Sequence, residues 1–157
     1  MEKSAPSSLD QMAEEIFSLT VMSWRERLAS RHETELSDSQ YLTIDALAGS
    51  ETPLTVGEIQ RAIGVLPAQM SRIIRSLESG FDKPLIRCEL NQHDKRKIDV
   101  HLLPQGREVY DEFRRSRLSK TVDILKNLSE RDRTEFVRVC RRIRELVPGN
   151  NSENTGG

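Results

Sequence analysis

"TVGEIQRAIGVLPAQMSRIIRSLE", residues 55 to 78, carries two helical periods separated by the break Gly64-Val65-Leu66. Thr55 followed three residues later by Glu58 is a capping box, which marks a helix start. Val56, Ile59 and Ile63 then recur at helical spacing, and Gly64 stands where a left-handed C-cap is expected. The next helix starts at Pro67, whose fixed φ and missing N–H suit a first turn. Met70, Ile73, Ile74 and Leu77 form its apolar stripe. A short helix, a tight turn and an amphipathic helix make a helix-turn-helix, whose second helix can lie in a DNA major groove.

Downstream, "SGFDKP" (79 to 84) is a turn cluster, after which the apolar period changes from 3.6 to 2. Ile86, Cys88 and Leu90 alternate on one strand and Ile98, Val100 and Leu102 on the next, joined by "NQHDKRK". This predicts a β-hairpin with one buried face, and so the winged form of the motif. After Pro104 and Gly106 a long helix runs through Val109, Phe113, Leu118, Val122 and Leu125. Ser129 with Asp132 opens a last helix, about 130 to 147, expected to bury Phe136, Cys140, Ile143 and Val147.

Upstream, Leu9, Met12, Ile16 and Leu19 predict one long helix from about 8 to 31. Ser37 with Gln40 opens a helix over 38 to 48 that buries Tyr41, Ile44, Leu47 and Ala48. The expected class is mainly α with a small β-hairpin wing. The chain divides into an N-terminal helix (8–36), a winged helix-turn-helix region (37–104), C-terminal helices (105–147) and a polar tail (148–157) expected to be disordered.

At 157 residues, with 36% hydrophobic, 4% aromatic and 31% charged residues, the chain fits one lean, helical domain. The net charge of −1 says nothing about a partner, but its distribution is uneven. Residues 1 to 60 hold 4 basic and 11 acidic residues, whereas 61 to 117 hold 12 basic and 8 acidic. A basic middle is compatible with a nucleic-acid-facing surface. The first ten residues lack a secretory pattern, and no apolar run approaches the ~18 residues of a membrane span. A cytoplasmic location is therefore expected. Cys88 and Cys140 form neither a metal motif nor a disulfide framework. No trio of residues reads as nucleophile, base and orienter, so neither an enzyme nor a cofactor is expected.

The face of the second motif helix opposite its apolar stripe carries Ala68, Gln69, Ser71, Arg72 and Arg75. Arg72 can pair with guanine O6 and N7, Gln69 with adenine N6 and N7, and Ala68 with a thymine methyl. Arg75 and Ser71 suit phosphates, which position the protein without specifying sequence. The same residues also fit plain solvation of an amphipathic helix, and the helix alone does not separate these readings.

From Leu54 to about Glu112 the chain resembles the winged helix-turn-helix core of the MarR family, the multiple-antibiotic-resistance-type bacterial regulators. The resemblance rests on "LTVGEIQRAIGVLPAQMSRIIRSLE", on a wing with Asp94-Lys95-Arg96, and on the following "VHLLPQGREV". It implies a homodimeric transcriptional regulator, most simply a repressor, whose terminal helices interlock through Leu9, Met12, Ile16, Leu19, Phe136, Cys140, Ile143 and Val147. Two lobes would read a palindromic operator in double-stranded DNA, with half-sites about 34 Å apart. Arg96 would enter the minor groove, oriented by Asp94, while Lys95 and Lys97 meet phosphates. A small-molecule effector or an oxidant would release DNA, and Met22, Trp24, Arg25 and Tyr41 are candidates to line an effector pocket.

The chain departs from the family's pattern in three places. "FDKP" lengthens the turn into the wing; Leu66 replaces the usual hydroxyl N-cap; and Leu103-Pro104 stand where Leu-Thr is common. The uncapped amides of the turn at Pro67 could then face a DNA phosphate. His93 and His101 lack a third ligand and read as solvated, and the two cysteines read as unreactive packing residues. The competing function is a winged-helix protein-interaction module that no longer binds DNA. Arg72 and Arg96 are residues such a module need not keep.

Overall fold

The computed structural model describes residues 8–29 and 36–147. The elements are α1 (Leu9–Ala29), α2 (Asp38–Ala48), β1 (Leu54–Thr55), α3 (Val56–Ile63), α4 (Pro67–Ser79), β2 (Ile86–Leu90), β3 (Ile98–Leu102), α5 (Pro104–Leu125) and α6 (Glu130–Leu146). This is the expected mainly-α fold with a β wing. The expected tail, and the stretch between α1 and Leu36, lie outside the described residues.

The chain divides into two compact units, the first ending at Asp38 and the second starting at Ser39. In the first, Ser8 caps α1, its hydroxyl oxygen accepting from the Gln11 amide at 3.1 Å. Leu9, Met12, Ile16 and Leu19 lie exposed along α1, with Phe17, Met22 and Trp24.

In the second unit the core is built from Ile44 and Leu47 of α2, Ile59 of α3, Met70, Ile73 and Leu77 of α4, and Leu85, Ile86 and Val100 around the wing's root. The Thr55 capping box is complete, with Glu58 Oε2 accepting from the Thr55 amide at 2.7 Å and the Thr55 hydroxyl accepting from the Glu58 amide at 3.3 Å. Gly64 closes α3 at φ 70°, a left-handed conformation that a glycine adopts without a Cβ penalty. The box expected at Ser129 differs. The Ser129 hydroxyl accepts from the Asp132 amide at 3.1 Å and donates to Asp132 Oδ2, because an aspartate is a methylene too short to return to the cap's backbone. On α2, the Gln40 side-chain amide crosses to α4 and donates to Ser76 Oγ at 2.7 Å.

The sheet has three strands in the order β1-β3-β2. Ile86 pairs with Leu102, Cys88 with Val100 and Leu90 with Ile98, so the six alternating residues do share a face. That face is not buried throughout. Ile86 and Val100 at the root are buried, but Leu90 and Ile98 towards the tip are exposed, since the strands run past the core residues that cover their base. β1 pairs with β3 through Leu54–Val100 and Thr55–Asp99. Two residues are too few to show alternation, so periodicity does not reveal this strand.

Leu85 ties the helices to the wing. Its amide donates to the Leu77 carbonyl of α4 at 2.9 Å, and its carbonyl accepts from the Leu103 amide at 3.0 Å. One turn into α5, Gly106 passes so close that a Cβ there would overlap the Leu85 carbonyl oxygen. The start of α5 packs on α2: Tyr110 donates to Asp45 Oδ1 at 2.7 Å and stacks on Tyr41 at 5.4 Å between ring centroids. Beyond that point the expected burial fails within one chain. Leu118 and Val122 of α5 are exposed, as are Phe136, Ile143 and Val147 at the last helix, and Cys140 is only half-buried. α6 has no buried residue, because no second layer of this unit covers it.

Gly106→Ala is expected to destabilise the protein by about 1–3 kcal/mol, through overpacking against backbone that cannot move aside. Urea unfolding at fixed protein concentration, compared by midpoint with the wild type, measures it.

Candidate nucleic-acid interface

α4 is amphipathic, and the burial of Met70, Ile73 and Leu77 forces its other face outward. Ala68, Gln69, Ser71, Arg72 and Arg75 are all exposed. Pro67 is the first residue of the helix, and the N-cap Leu66 is extended at φ −73° and ψ 153° with no side-chain cap bond. The side chain of Leu66 is 74% exposed, so the first turn of α4 opens to solvent. The Ser71 hydroxyl donates to the Pro67 carbonyl at 3.1 Å, leaving its oxygen lone pairs outward. The bond from Gln40 to Ser76 fastens the other end of α4 to α2.

The wing carries a second basic group. Asp94 Oδ1 accepts from the backbone amide of Arg96 and from its guanidinium Nε, each at 3.1 Å. A further guanidinium nitrogen reaches Asp94 Oδ2 at 3.4 Å. Arg96 remains 90% exposed while Asp94 is 27% exposed, so the carboxylate belongs to the wing and the guanidinium projects from it. The hydrogen bonds from Arg96 hold the Asp94 carboxyl below the usual aspartate range. Lys95 and Lys97 are exposed on either side.

The other residues picked out in the sequence have different surroundings. Tyr41 is half-buried in the aromatic cluster with Tyr110 and Phe113, the latter at 4.9 Å. Met22, Trp24 and Arg25 are exposed residues of α1. His101 Nε2 lies 3.3 Å from Glu89, His93 is exposed, and among the described residues no cluster of three metal-ligating side chains occurs. Burial and the Glu78 carboxylate push the Cys88 thiol up to about 12, which keeps it protonated and poorly nucleophilic. No described helix is long and apolar enough to cross a membrane.

Sequence reasoning missed the residues that shape the wing tip. The Asn91 side chain accepts from the amides of His93 and Asp94 and donates to the Asp99 carboxylate. An asparagine opening a charged loop is an Asx-turn signal, and it was available in "NQHD".

Because bonding to Arg96 lowers the Asp94 carboxyl, the pairing is complete above the ordinary aspartate value. It is lost only as pH falls through the lower folded value. The pair is therefore expected to be unchanged from about pH 5 upward. A carbon-13 titration of Asp94 should show a midpoint below that of a free aspartate, and Arg96→Ala should raise it.

No family model matches the chain, and no curated protein does. Solved structures match it well. A MarR family protein from Bacillus stearothermophilus aligns at a TM-score of 0.69 and 19% identity, covering 88% of this chain and 91% of that one. The YusO protein of Bacillus subtilis aligns at 0.68 and 23% identity, covering 90% and 100%. Streptococcus pneumoniae FabT, solved in complex with DNA, aligns at 0.64 and 17% identity, covering 88% and 94%. The chain thus has the winged-helix fold of MarR family regulators.

Proposed function

We propose that the protein is a homodimeric, sequence-specific DNA-binding transcriptional regulator of MarR type, acting as a repressor on a palindromic operator. The observation that carries this reading is Arg96, a guanidinium projected into solvent from the wing and oriented by a carboxylate of the same loop. An oriented cation on a narrow hairpin suits the negative potential of an A/T-rich minor groove. The exposed face of α4 supplies the matching major-groove chemistry, with Arg72, Gln69 and Ala68 as base readers and Arg75 and Ser71 as phosphate contacts. The open first turn at Pro67 offers backbone amides to a phosphate, and Lys95 and Lys97 add charge at the wing. FabT, of similar fold, was solved in complex with DNA, which supports the same use here.

The dimer follows from apolar surface left open. Leu9, Met12, Ile16 and Leu19 of α1, and Phe136, Ile143 and Val147 at the C-terminal end, are exposed in a single chain. A second copy is the occupant we assign, because α1 is acidic in its first turns and α6 carries five arginines between residues 133 and 144. A small-molecule effector would release DNA by favouring a lobe spacing that no longer fits the operator. Oxidant release through Cys88 is disfavoured by its protonated thiol.

Arg96→Ala should weaken binding to operator DNA by about 1–3 kcal/mol, and Lys95→Ala should reduce the salt slope by about one. Fluorescence anisotropy against a duplex enriched from a random library measures both. Failure of the wild type to enrich any duplex at low salt would leave the protein-interaction module as the better account. In sedimentation equilibrium the full chain should run at twice its 18.0 kDa mass, and Ile143→Asp should shift it towards the monomer. A wild type that stays monomeric at all concentrations rules out a two-lobed reader.

A further inference from the structure

We infer that Asn91 is a positioning residue for DNA recognition: its side-chain amide bridges the two sides of the wing tip and so presets the Asp94–Arg96 pair. This rests on the DNA-binding reading above.

Asn91 Oδ1 accepts from the backbone amides of His93 at 3.0 Å and Asp94 at 2.8 Å. Its Nδ2 donates to both oxygens of Asp99, at 2.9 and 3.0 Å. The chemistry fixes which way the amide points. Reversed, its NH2 would face two N–H donors and its oxygen would face a carboxylate. The backbone closes the same loop, with the Asn91 amide donating to the Lys97 carbonyl at 3.0 Å and the Lys97 amide to the Asp94 carbonyl at 2.9 Å.

Asp94 is therefore held at both its N–H and its C=O before its carboxylate binds Arg96. The chain of bonds begins on the middle strand, where Asp99 stands opposite Thr55 of β1 and Glu89 of β2. It runs through Asn91 to Asp94 and ends on the guanidinium of Arg96. An exposed ion pair on a floppy loop is weak, because ordering two long side chains offsets its attraction. A carboxylate whose backbone is already fixed orders only the arginine, so less is lost when DNA takes the guanidinium. Neither Asn91 nor Asp99 needs to touch DNA for this.

The test uses the full chain and a labelled duplex enriched from a random library by the wild type. Asn91→Ala should weaken binding roughly fivefold. In an Arg96→Ala background the same change should add less than about twofold, since its effect passes through Arg96. Asn91→Asp alone sets two carboxylates face to face and should also weaken binding. Asn91→Asp combined with Asp99→Asn restores an acceptor for the amides and a donor–acceptor bridge, and should recover wild-type affinity to within about twofold. A loss that is additive with Arg96→Ala, or no recovery in the combined variant, overturns the proposal. A second measurement needs no DNA: the Arg96 Nε–H proton of the labelled free protein should exchange slowly and lose that protection in Asn91→Ala. Unchanged protection overturns the proposal, whatever the DNA result. A wild type that enriches no duplex removes the DNA-binding reading, and the exchange measurement still decides whether Asn91 positions the pair.

Discussion

The backbone of Leu85 is the constraint on which the rest of the second unit depends. Its amide and carbonyl bond to α4 and to the residue that opens α5, and Gly106 passes directly against it. Leu85 is itself buried, as is Ile86 beside it, so the start of β2 cannot shift without opening the core. The wing is thereby tied to the C-terminal end of the helix that carries Arg72 and Arg75. The turn segment "FDKP" (81–84) lies immediately before this anchor, and the wing's root pairs Ile86 with Leu102.

Two levels of order hold the two basic elements. α4 is positioned by burial, with Met70, Ile73 and Leu77 in the core and Gln40 bonded to Ser76. The wing tip has little burial to use, since Leu90 and Ile98 are exposed, and it relies on hydrogen bonds instead. Asn91, Asp94 and Asp99 supply them, and they converge on the loop that carries Arg96. In a wing without a packed tip, polar bridges are the remaining means of presenting a guanidinium in a defined place.

The long helices follow a different logic. α5 is fixed to α2 where Tyr110 meets Asp45 and Tyr41, and then continues into residues that one chain leaves uncovered. Apolar surface repeated at helical spacing on α1, α5 and α6 is too regular to be scattered surface hydrophobics.

Helix positions, the Thr55 and Gly64 caps, the outward face of α4 and the shared face of the hairpin were all legible in the sequence. They depend on contacts a few residues apart, and local periodicity and capping report such contacts directly. The sequence by itself determined that a helix-turn-helix is followed by a wing whose Arg96 has an aspartate two residues away. Only the tertiary structure decided three things: that β1 joins the sheet, that the Gln40 side chain reaches Ser76 of α4, and that Asn91 spans the tip to Asp99. Each of these pairs groups from separate elements or opposite sides of a loop. Their partners are chosen by which donors and acceptors folding brings within about 3 Å, a distance no spacing along the chain encodes.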